Sequence, residues 1–265
     1  MPIRRSDRSV PVTSGTTAVQ TTAPRQNRIL DSLPAADVAL LARHLHAVTL
    51  ERGLLHQQGD PHHYAYFPHD GVVSLLAMTP DGQSIEAGSI GRDAAVCPVL
   101  EFGNESFLTA ITFGAVRVSR IATAHLEAVQ RESAALTSAL HRCRAGLLLQ
   151  VRQNMLCYGL HRAEERLPRW LLETADRARG DTESIMVTQA EVGERLGLRR
   201  TTVTLTARVL QNAGAIRWGR SRIEIVDRTK LEQMACGCYA ALRACEDGLL
   251  PADVQRDPAQ HGFPR

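Results

Sequence analysis

Residues 188–226 constrain the fold of this chain more than any other stretch. Val192 and Leu196 lie four residues apart and therefore share one helical face. A second stripe follows with the i, i+3, i+4, i+7 spacing of a buried helix face. Its members are Val203, Thr206, Ala207 and Leu210. The segment therefore predicts two short helices, the second over residues 200–212.

Glycines mark the turns of this segment. Gly193 and Gly197 fall where two helices must cross closely and where the chain must turn between them. Gly214 is placed to end the second helix. Beyond it, the runs 216–218 and 222–225 alternate apolar and polar residues on either side of a short turn. This alternation predicts a β-hairpin with one apolar face.

Two helices followed by a basic hairpin make a winged helix-turn-helix, whose second helix must fit the roughly 12 Å wide major groove of DNA. Residues 185–225 hold seven arginines against three glutamates, a net charge of +4, whereas the whole chain carries +3. Phosphate contacts require such a local excess. The residues predicted to contact bases and nearby phosphates are Arg199, Arg200, Thr201, Thr202, Thr204 and Arg208. The residues predicted to contact the DNA backbone are Gln189, Arg217, Arg220 and Arg222.

The same segment has a second interpretation. An ordinary helical hairpin with solvated arginines shares the helix–glycine–helix pattern. The β-hairpin, the local charge and the polar outward face of the second helix together favour a DNA-reading module over that alternative.

Length and composition indicate the class of protein. A chain of 265 residues is long enough for two domains, each with its own core. No stretch approaches the roughly 18 continuous apolar residues of a membrane span, and the N-terminus lacks the apolar core of a signal peptide. Six cysteines without a secretory signal favour a reducing compartment over a disulfide framework. We therefore expect a cytoplasmic protein without a membrane partner.

The first half of the chain divides into a polar tail and a β-rich domain. Residues 1–26 are rich in Ser, Thr, Pro and Arg, which predicts a disordered tail. Residues 34–46 have helical spacing. Short apolar runs separated by turn signals then predict a β-sandwich or barrel such as a jelly roll, in a domain over residues 27–130. The predicted strands cover residues 64–67, 72–78, 84–90, 108–113 and 116–121.

A long helix is predicted next, over residues 131–160. Its apolar residues step by 4, 3 and 4, as in a coiled-coil seam. A helix packed on its own domain is the alternative, but a helix-turn-helix usually needs two copies to meet a two-fold site, which favours a dimer. The predicted dimer-seam residues are Leu136, Leu140, Cys143, Leu147 and Val151.

The remaining segments complete the predicted order. Residues 164–178 form a further helix, and Gly180 with Asp181 leads from it into the reading module. We place the winged domain at residues 161–235. Residues 236–265 are predicted to be a C-terminal tail that begins with a short helix.

This order of elements resembles the Crp/Fnr family of bacterial transcription regulators over residues 27–234. Residues 60–74, 89–93 and 188–226 carry the resemblance. It implies an α+β fold with an N-terminal cyclic-nucleotide-binding-like jelly roll, a long dimerisation helix and a C-terminal winged helix-turn-helix. It also implies a homodimer that reads a pseudo-palindromic site on double-stranded DNA, with RNA polymerase as a partner. No catalytic residue is expected.

The departures from the family pattern bear on the effector. Members that bind a cyclic nucleotide hold its phosphate with a Gly-Glu turn and a later Arg-Ser or Arg-Thr pair. Here Gly91-Arg92-Asp93 stands at the first element, and no arginine follows until Arg117. The later slot reads Asn104-Glu105-Ser106-Phe107, which offers a carboxylate and no guanidinium. Cyclic AMP is therefore not expected, and the domain is left as a sensor of an unknown effector or as a scaffold.

Two further family features differ. Members that carry an iron–sulfur cluster group their cysteines near the N-terminus, whereas the first cysteine here is Cys97, so no such cluster is expected. In the recognition helix, well-known members place a Glu between an Arg and a Thr. This chain has Arg200-Thr201-Thr202, and Leu205 where those members have a second Arg. Different base preferences follow.

Histidines and cysteines suggest metal-binding alternatives. His44 and His46 with Glu51 have the outline of a cupin site, which would make the jelly roll a metal-dependent enzyme or a metal sensor. The expected glycine before His44 is replaced by Val38, and both histidines fall at the end of a helical pattern. This departure disfavours the cupin interpretation.

The other candidate ligands lie outside that outline. The histidines at 62, 63 and 69 could bind metal or sense pH, although surface-loop histidines are the expected interpretation. Cys236 and Cys238 with Cys245 could ligate a metal or respond to redox state, but no fourth ligand is evident in the sequence. We therefore predict no metal and no cofactor.

Overall fold

The computed structural model describes residues 27–98, 105–178 and 184–249. The predicted tail over residues 1–26, the turn at Gly180 and Asp181, and Asn104 lie outside the described residues. The described chain forms an N-terminal β domain, one long helix and a C-terminal winged domain. This α+β arrangement confirms the predicted fold class.

Seven strands form the N-terminal domain. They are β1 (His46–Leu50), β2 (Gly53–His56), β3 (Tyr64–Pro68), β4 (Val73–Met78), β5 (Ser84–Ile90), β6 (Thr109–Thr112) and β7 (Val116–Ala122). One antiparallel sheet has the order β1-β7-β3 and the other β2-β6-β4-β5. An isolated bridge between Tyr66 and Val96 extends the first sheet beyond β3. Two antiparallel sheets with a shared core agree with the predicted jelly roll.

Helices α1 (Arg28–Asp31) and α2 (Ala35–Ala42) precede the strands. The helix predicted over residues 34–46 is too long, because the chain leaves helical geometry after Ala42 and His46 begins β1. β1 and β2 were not predicted. The residues of β1 alternate only weakly in burial, and the strand is fixed by its pairing with β7, which is distant in the sequence.

Helices α3 (Thr123–Glu132) and α4 (Ala134–Leu160) follow the sheets. Ser133 separates the two helices. Its backbone amide donates to the Val129 carbonyl oxygen at the end of α3, and its hydroxyl accepts a hydrogen bond from the Leu136 amide at the start of α4. The long helix thus begins slightly later than predicted.

Four of the five predicted dimer-seam residues lie in the core of their own domain. Leu136, Leu140, Cys143 and Leu147 are all less than a tenth exposed, and they belong to the same core as the strands of the jelly roll. These four side chains are therefore already packed within one chain. The apolar residues of α4 that remain exposed are Leu148, Val151, Met155, Leu156 and Leu160. Of the predicted set, only Val151 lies on that outer face.

The C-terminal domain has a helical core and a small sheet. Its elements are α5 (Ala163–Ala178), β8 (Ser184–Ile185), α6 (Gln189–Leu196), α7 (Arg200–Asn212), β9 (Ile216–Trp218), β10 (Ile223–Ile225), α8 (Arg228–Met234) and α9 (Cys238–Leu249). The sheet has the order β8-β10-β9. Leu167, Leu171 and Leu172 of α5 are fully buried, as the spacing predicts.

The short helix predicted after residue 236 is present, and it is packed on the domain. Residues 238–249 form α9, and its side chains Tyr239 and Leu242 are buried. This helix packs along α4 and α5. Among the described helices, none has the length and apolar character needed to cross a bilayer.

Candidate nucleic-acid interface

The two ends of helix α6 determine where the chain turns into helix α7. Thr188 and Glu191 form a capping box at its start, with side chain and backbone bonds in both directions. The helix ends at Gly197, whose φ of 59° is left-handed. A Cβ on Gly193 would lie 2.8 Å from the Leu198 carbonyl oxygen, so only glycine allows this close crossing. Gly193 and Gly197 therefore allow the close crossing and the turn that the sequence predicts at these positions.

Helix α7 has the two faces that its spacing predicts. The four residues of the inner stripe are at most 2% exposed, namely Val203, Thr206, Ala207 and Leu210. The outer face carries Arg199, Arg200, Thr201 and Arg208 in exposed positions. Thr202 and Thr204 are half-buried at its edge. The candidate base-contacting residues thus form one continuous surface.

A hydrogen bond joins this surface to the start of α6. The Thr204 hydroxyl lies 2.8 Å from the Gln189 side-chain oxygen and donates to it. The same hydroxyl lies 2.9 Å from the Arg200 carbonyl oxygen. The Gln189 side chain is therefore held against α7, and the Thr204 hydroxyl links the two helices.

Two apolar residues also lie on the outer face of α7. Leu205 is 61% exposed and Val209 is 47% exposed. Exposed apolar side chains on such a helix can contact the methyl group of thymine. The sequence-based set omitted both, although position 205 lies four residues after Thr201 and hence on the same face.

The hairpin of β9 and β10, which we call the wing, presents three arginines, and one of them is paired with a carboxylate. Arg217 on β9 pairs with Glu224 on β10, with 2.7 Å between the guanidinium and the carboxylate. These two residues are direct cross-strand neighbours. Arg220 and Arg222 are exposed at and beside the turn. Their charges suit DNA phosphates, whereas that of Arg217 is partly neutralised in the free protein.

A buried carboxylate lies where the winged domain meets the jelly roll. Glu86 on β5 is 4% exposed. Its carboxylate accepts hydrogen bonds from the Ser74 hydroxyl and, at 3.0 Å, from the Trp170 indole. Burial raises the pKa of Glu86, while Ser74, Arg195 and Trp170 oppose that shift. One side chain thus binds partners from both domains.

Arg195 of α6 is the cation at this junction. It is 1% exposed, and its Nε lies 4.0 Å from the Glu86 carboxylate. Its guanidinium also donates to the Glu191 carbonyl oxygen at 2.7 Å and stacks 3.9 Å over the ring of Phe113. Arg195 is one of the seven arginines that make up the basic excess of residues 185–225. Its charge instead serves the contact between domains.

Helix α5 connects to α4 through two more buried arginines. Arg169 pairs with Glu173 at 2.7 Å and donates to the Asn154 amide oxygen at 2.6 Å. Asn154 in turn donates to the carbonyl oxygen of Ala87 on β5. Arg166 stacks over Tyr158 and donates to the Leu196 carbonyl oxygen. The orientation of the reading module is therefore tied to the sheet and the long helix.

The segment that replaces the family's nucleotide-binding turn is covered by α5. A Cβ on Gly91 would lie 2.4 Å from the Arg177 carbonyl oxygen, so the backbones of the two segments are in contact. A nearby cavity of about 110 Å³, lined by Arg92, Asp93 and Arg177 among others, is far smaller than the roughly 300–1,000 Å³ typical of ligand pockets. Glu105 of the later slot is exposed.

The histidines do not assemble the metal sites considered from the sequence. The ring of His44 stacks on that of His125 at 4.1 Å, and His46 is on β1. Among the described residues, the His, Cys, Asp and Glu side chains close enough to share an ion include neither of these histidines nor Glu51. The cupin alternative is therefore not supported by the geometry.

Of the three histidines considered near β3, His63 is exposed as expected, whereas His62 and His69 are buried. His62 is 8% and His69 6% exposed. His69 hydrogen-bonds the Ser119 hydroxyl at 2.9 Å, and burial lowers its pKa. His62 packs edge-on against His56 beside a cavity of about 290 Å³. Packing against the neighbouring strands buries both side chains.

The C-terminal cysteines are brought together in a different combination from the one considered. Cys245 is exposed, whereas Cys236 and Cys238 are buried beside Cys157 and His161. The two added residues are about 80 positions away in the sequence. Spacing alone could not associate them.

Known proteins agree with this architecture. A family model described as a Crp-like helix-turn-helix domain matches residues 165–234. The nitrogen fixation regulation protein FixK of Bradyrhizobium diazoefficiens is 25% identical over 177 residues, which cover 63% of this chain and 71% of that protein. These matches and the two-faced α7 define the chain as a DNA-binding transcription regulator.

Solved structures extend the likeness to most of the chain. FixK2 from Bradyrhizobium japonicum superposes with a TM-score of 0.62 at 21% identity, covering 72% of this chain and 98% of that one. The c-di-GMP-responsive global regulator CLP from Xanthomonas campestris gives 0.57 at 16% identity, covering 72% and 99%. Residues 165–234 thus match a Crp-like helix-turn-helix domain, and the fold of the chain is that of these regulators.

Proposed function

We propose that this regulator acts as a homodimer and reads a two-fold symmetric DNA site through α7. The observation that carries the proposal is the outer face of α7, where Arg199, Arg200, Thr201 and Arg208 are exposed together. A helix of this kind enters the major groove with its N-terminal residues against base edges. Arginine can bind guanine O6 and N7 with two hydrogen bonds, and threonine offers a hydroxyl and a methyl.

Individual residues take distinct roles in this proposal. Arg200 and Thr201, at the start of α7, contact bases, while Arg199 and Arg208 contact bases or adjacent phosphates. Thr202 and Thr204 lie at the edge of the surface, where Thr204 also fixes Gln189. Gln189 and the wing residues Arg217, Arg220 and Arg222 contact the backbone, as helix starts and basic side chains do in other complexes.

The dimer forms through the outer face of α4 in this proposal. Leu148 is 61%, Val151 37% and Met155 73% exposed, and their i, i+3, i+7 spacing places them on one face of this long helix. A helix face with apolar residues at these spacings is suited to a copy of itself across a two-fold axis. Two copies would then present two α7 helices to successive half-sites.

The N-terminal domain does not bind cyclic AMP in this proposal. No arginine lies between Arg92 and Arg117 to pair with a cyclic phosphate. The contact of Gly91 with the Arg177 backbone also leaves no space at the first element. The domain is a sensor of another effector or a scaffold. The regulator acts in the cytoplasm, where its DNA lies, and acts on RNA polymerase.

Selection from random duplex DNA by the purified full chain tests the main proposal. Enrichment of a two-fold symmetric site is expected, with affinity falling steeply between two salt concentrations because phosphate contacts release counterions. Enrichment of an asymmetric site, or binding that does not depend on salt, would contradict it. Titration of the selected complex with cyclic AMP should leave its affinity unchanged.

The dimer face has its own test. Met155→Glu places a charge on the exposed face of α4 and should shift the protein from dimer to monomer in sedimentation equilibrium. Met78→Glu, also an exposed methionine but on the jelly roll, is the matched control and should leave the dimer intact. If the Met155→Glu protein remains a dimer, the outer face of α4 is not the dimer interface.

A further inference from the structure

Four potential metal ligands converge where α4 ends. Cys157, His161, Cys236 and Cys238 each present one ligand atom, and these four atoms all lie within 4.8 Å of one another. The Cys157 and Cys236 sulfurs are 3.5 Å apart. The Cys238 sulfur lies 3.4 Å from Nδ1 of His161. These are the two donor types that zinc binds most often in structural sites.

The distances fit one tetrahedral ion. With Zn–S bonds of about 2.3 Å and Zn–N bonds of about 2.0 Å, neighbouring ligands of a tetrahedral site lie roughly 3.5–3.8 Å apart. The two shortest observed separations are close to that range. A cluster of several irons would distribute its ligands over more than one metal atom and require wider spacing. A single ion therefore matches the geometry better than an iron–sulfur cluster.

The surrounding backbone fixes each ligand in place. Cys157 and His161 are four residues apart at the end of α4 and so lie on one face, with the His161 amide bonded to the Cys157 carbonyl oxygen at 3.0 Å. Cys236 lies between α8 and α9, and its amide bonds the Glu165 carbonyl oxygen. Cys238 is the first residue of α9. The end of α4, the α8–α9 connection and the start of α9 thus contribute to the cluster.

Burial and charge are also suitable. The three cysteines are at most 5% exposed and form a small cluster separate from both main cores. Three thiolates with one Zn²⁺ carry a net charge of −1. Arg169, itself 3% exposed, interacts electrostatically with Cys157 and Cys238 and so offsets that charge. A buried charged site needs such a partner.

We propose that Cys157, His161, Cys236 and Cys238 bind one structural zinc ion that joins the end of α4 to the α8–α9 connection. All four positions are filled by side chains, so the site is closed and structural in kind. The chain passes from the long helix to the winged domain at His161. The ion therefore holds that passage and fixes the position of the winged domain on α4.

Metal content of the full-length protein, purified under reducing conditions without chelator, tests this site. About one zinc per chain is expected by elemental analysis. Cys238→Ser should lose it. Cys245→Ser is the matched control, since this exposed cysteine lies in the same helix α9 outside the cluster, and it should keep the full zinc content. Zinc retained by Cys238→Ser, or lost by Cys245→Ser, would overturn the assignment.

A second measurement covers the case in which Cys238→Ser does not fold. Wild-type protein refolded with Co²⁺ should show thiolate-to-cobalt charge transfer and the intense visible bands of a tetrahedral ion. Removal of metal by a chelator should lower the thermal midpoint, because the ion binds only the folded state. Wild-type protein without metal, with iron in place of zinc, or with a Cys157–Cys236 disulfide in peptide mapping would refute the proposal. None of these readouts depends on DNA binding.

Discussion

Two sets of arginines in the C-terminal half have opposite surroundings. The junction arginines are Arg166, Arg169, Arg177 and Arg195, all at most 9% exposed. The interface arginines are Arg199, Arg200, Arg208, Arg220 and Arg222, all exposed. The first set is bonded to carboxylates, carbonyl oxygens and aromatic rings of neighbouring elements. The second set lies on α7 and the wing, facing solvent.

This difference separates two uses of one side chain. A buried guanidinium is retained only where acceptors and a carboxylate compensate for its loss of water. An exposed one contributes little to folding but can release counterions from DNA. Substitutions in the first set should therefore change the free energy of unfolding, and substitutions in the second set should change DNA affinity alone.

The largest effect is expected for Arg195→Met. It leaves Glu86 buried without its cation, which should lower the free energy of unfolding by about 3–5 kcal/mol. Chemical denaturation measures this loss. Arg208→Met, at an exposed position of the next helix, is the matched control and should change stability by less than about 0.5 kcal/mol.

A double-mutant cycle tests whether the loss comes from Glu86. Adding Glu86→Gln to Arg195→Met removes the uncompensated charge and should restore part of the stability, with a coupling of about 0.5–3 kcal/mol. Purely additive losses would show that Arg195 stabilises the junction through Phe113 and the Glu191 carbonyl oxygen instead.

The next largest effect is expected for Arg200→Ala on DNA affinity. Loss of a guanine contact should weaken binding to the selected site by about 1–3 kcal/mol and relax specificity at one base pair. Binding titrations against the site and its single-base variants measure both. An equal loss on every sequence would make Arg200 a phosphate contact. Thermal stability should stay unchanged because the side chain is exposed.

A smaller effect is expected at the wing. Arg222→Ala removes one phosphate contact, so the negative slope of log affinity against log salt should decrease in magnitude by about 1, with base preference unchanged. The measurement is a salt series on the selected site. A changed base preference, or an unchanged slope, would show that the wing does not lie on the backbone.

The smallest effect is expected for Glu224→Gln. The pair that Glu224 makes with Arg217 is exposed, so its loss should change the free energy of unfolding by less than about 1 kcal/mol. The freed Arg217 should raise DNA affinity slightly at low salt. Denaturation and a salt series measure these changes. A large loss of stability would show that Arg217 stabilises the fold, as the junction arginines do.

Local periodicity predicted much of the winged domain. The spacing of Val203 and Leu210 fixes which side of α7 is buried, because a helix repeats about every 3.6 residues. Gly193 and Gly197 predicted the crossing and turn for the same local reason. The exposed face of α7 then follows, because it lies opposite the buried stripe. Its position relative to the jelly roll did not follow, since it depends on Arg195 and Glu86, which are far apart in the sequence.

Helix α4 shows where periodicity is insufficient. The 4-3-4 spacing of Leu136, Leu140 and Cys143 marks a buried stripe, but a stripe does not state what covers it. The jelly roll covers it in the same chain, and Met155 and Leu160 are left on the outer face. A dimer seam and a helix packed on its own domain share this apolar pattern, and only the packing of the sheets distinguishes the two interpretations.

The sequence by itself determined the order of elements, the two faces of α7 and the basic excess of residues 185–225, because each depends on neighbours within a few turns of chain. The tertiary structure decided which arginines are buried, which face of α4 is exposed, and that Cys157 and His161 meet Cys236 and Cys238. These outcomes depend on contacts between distant segments, whose geometry is set when the two domains pack together.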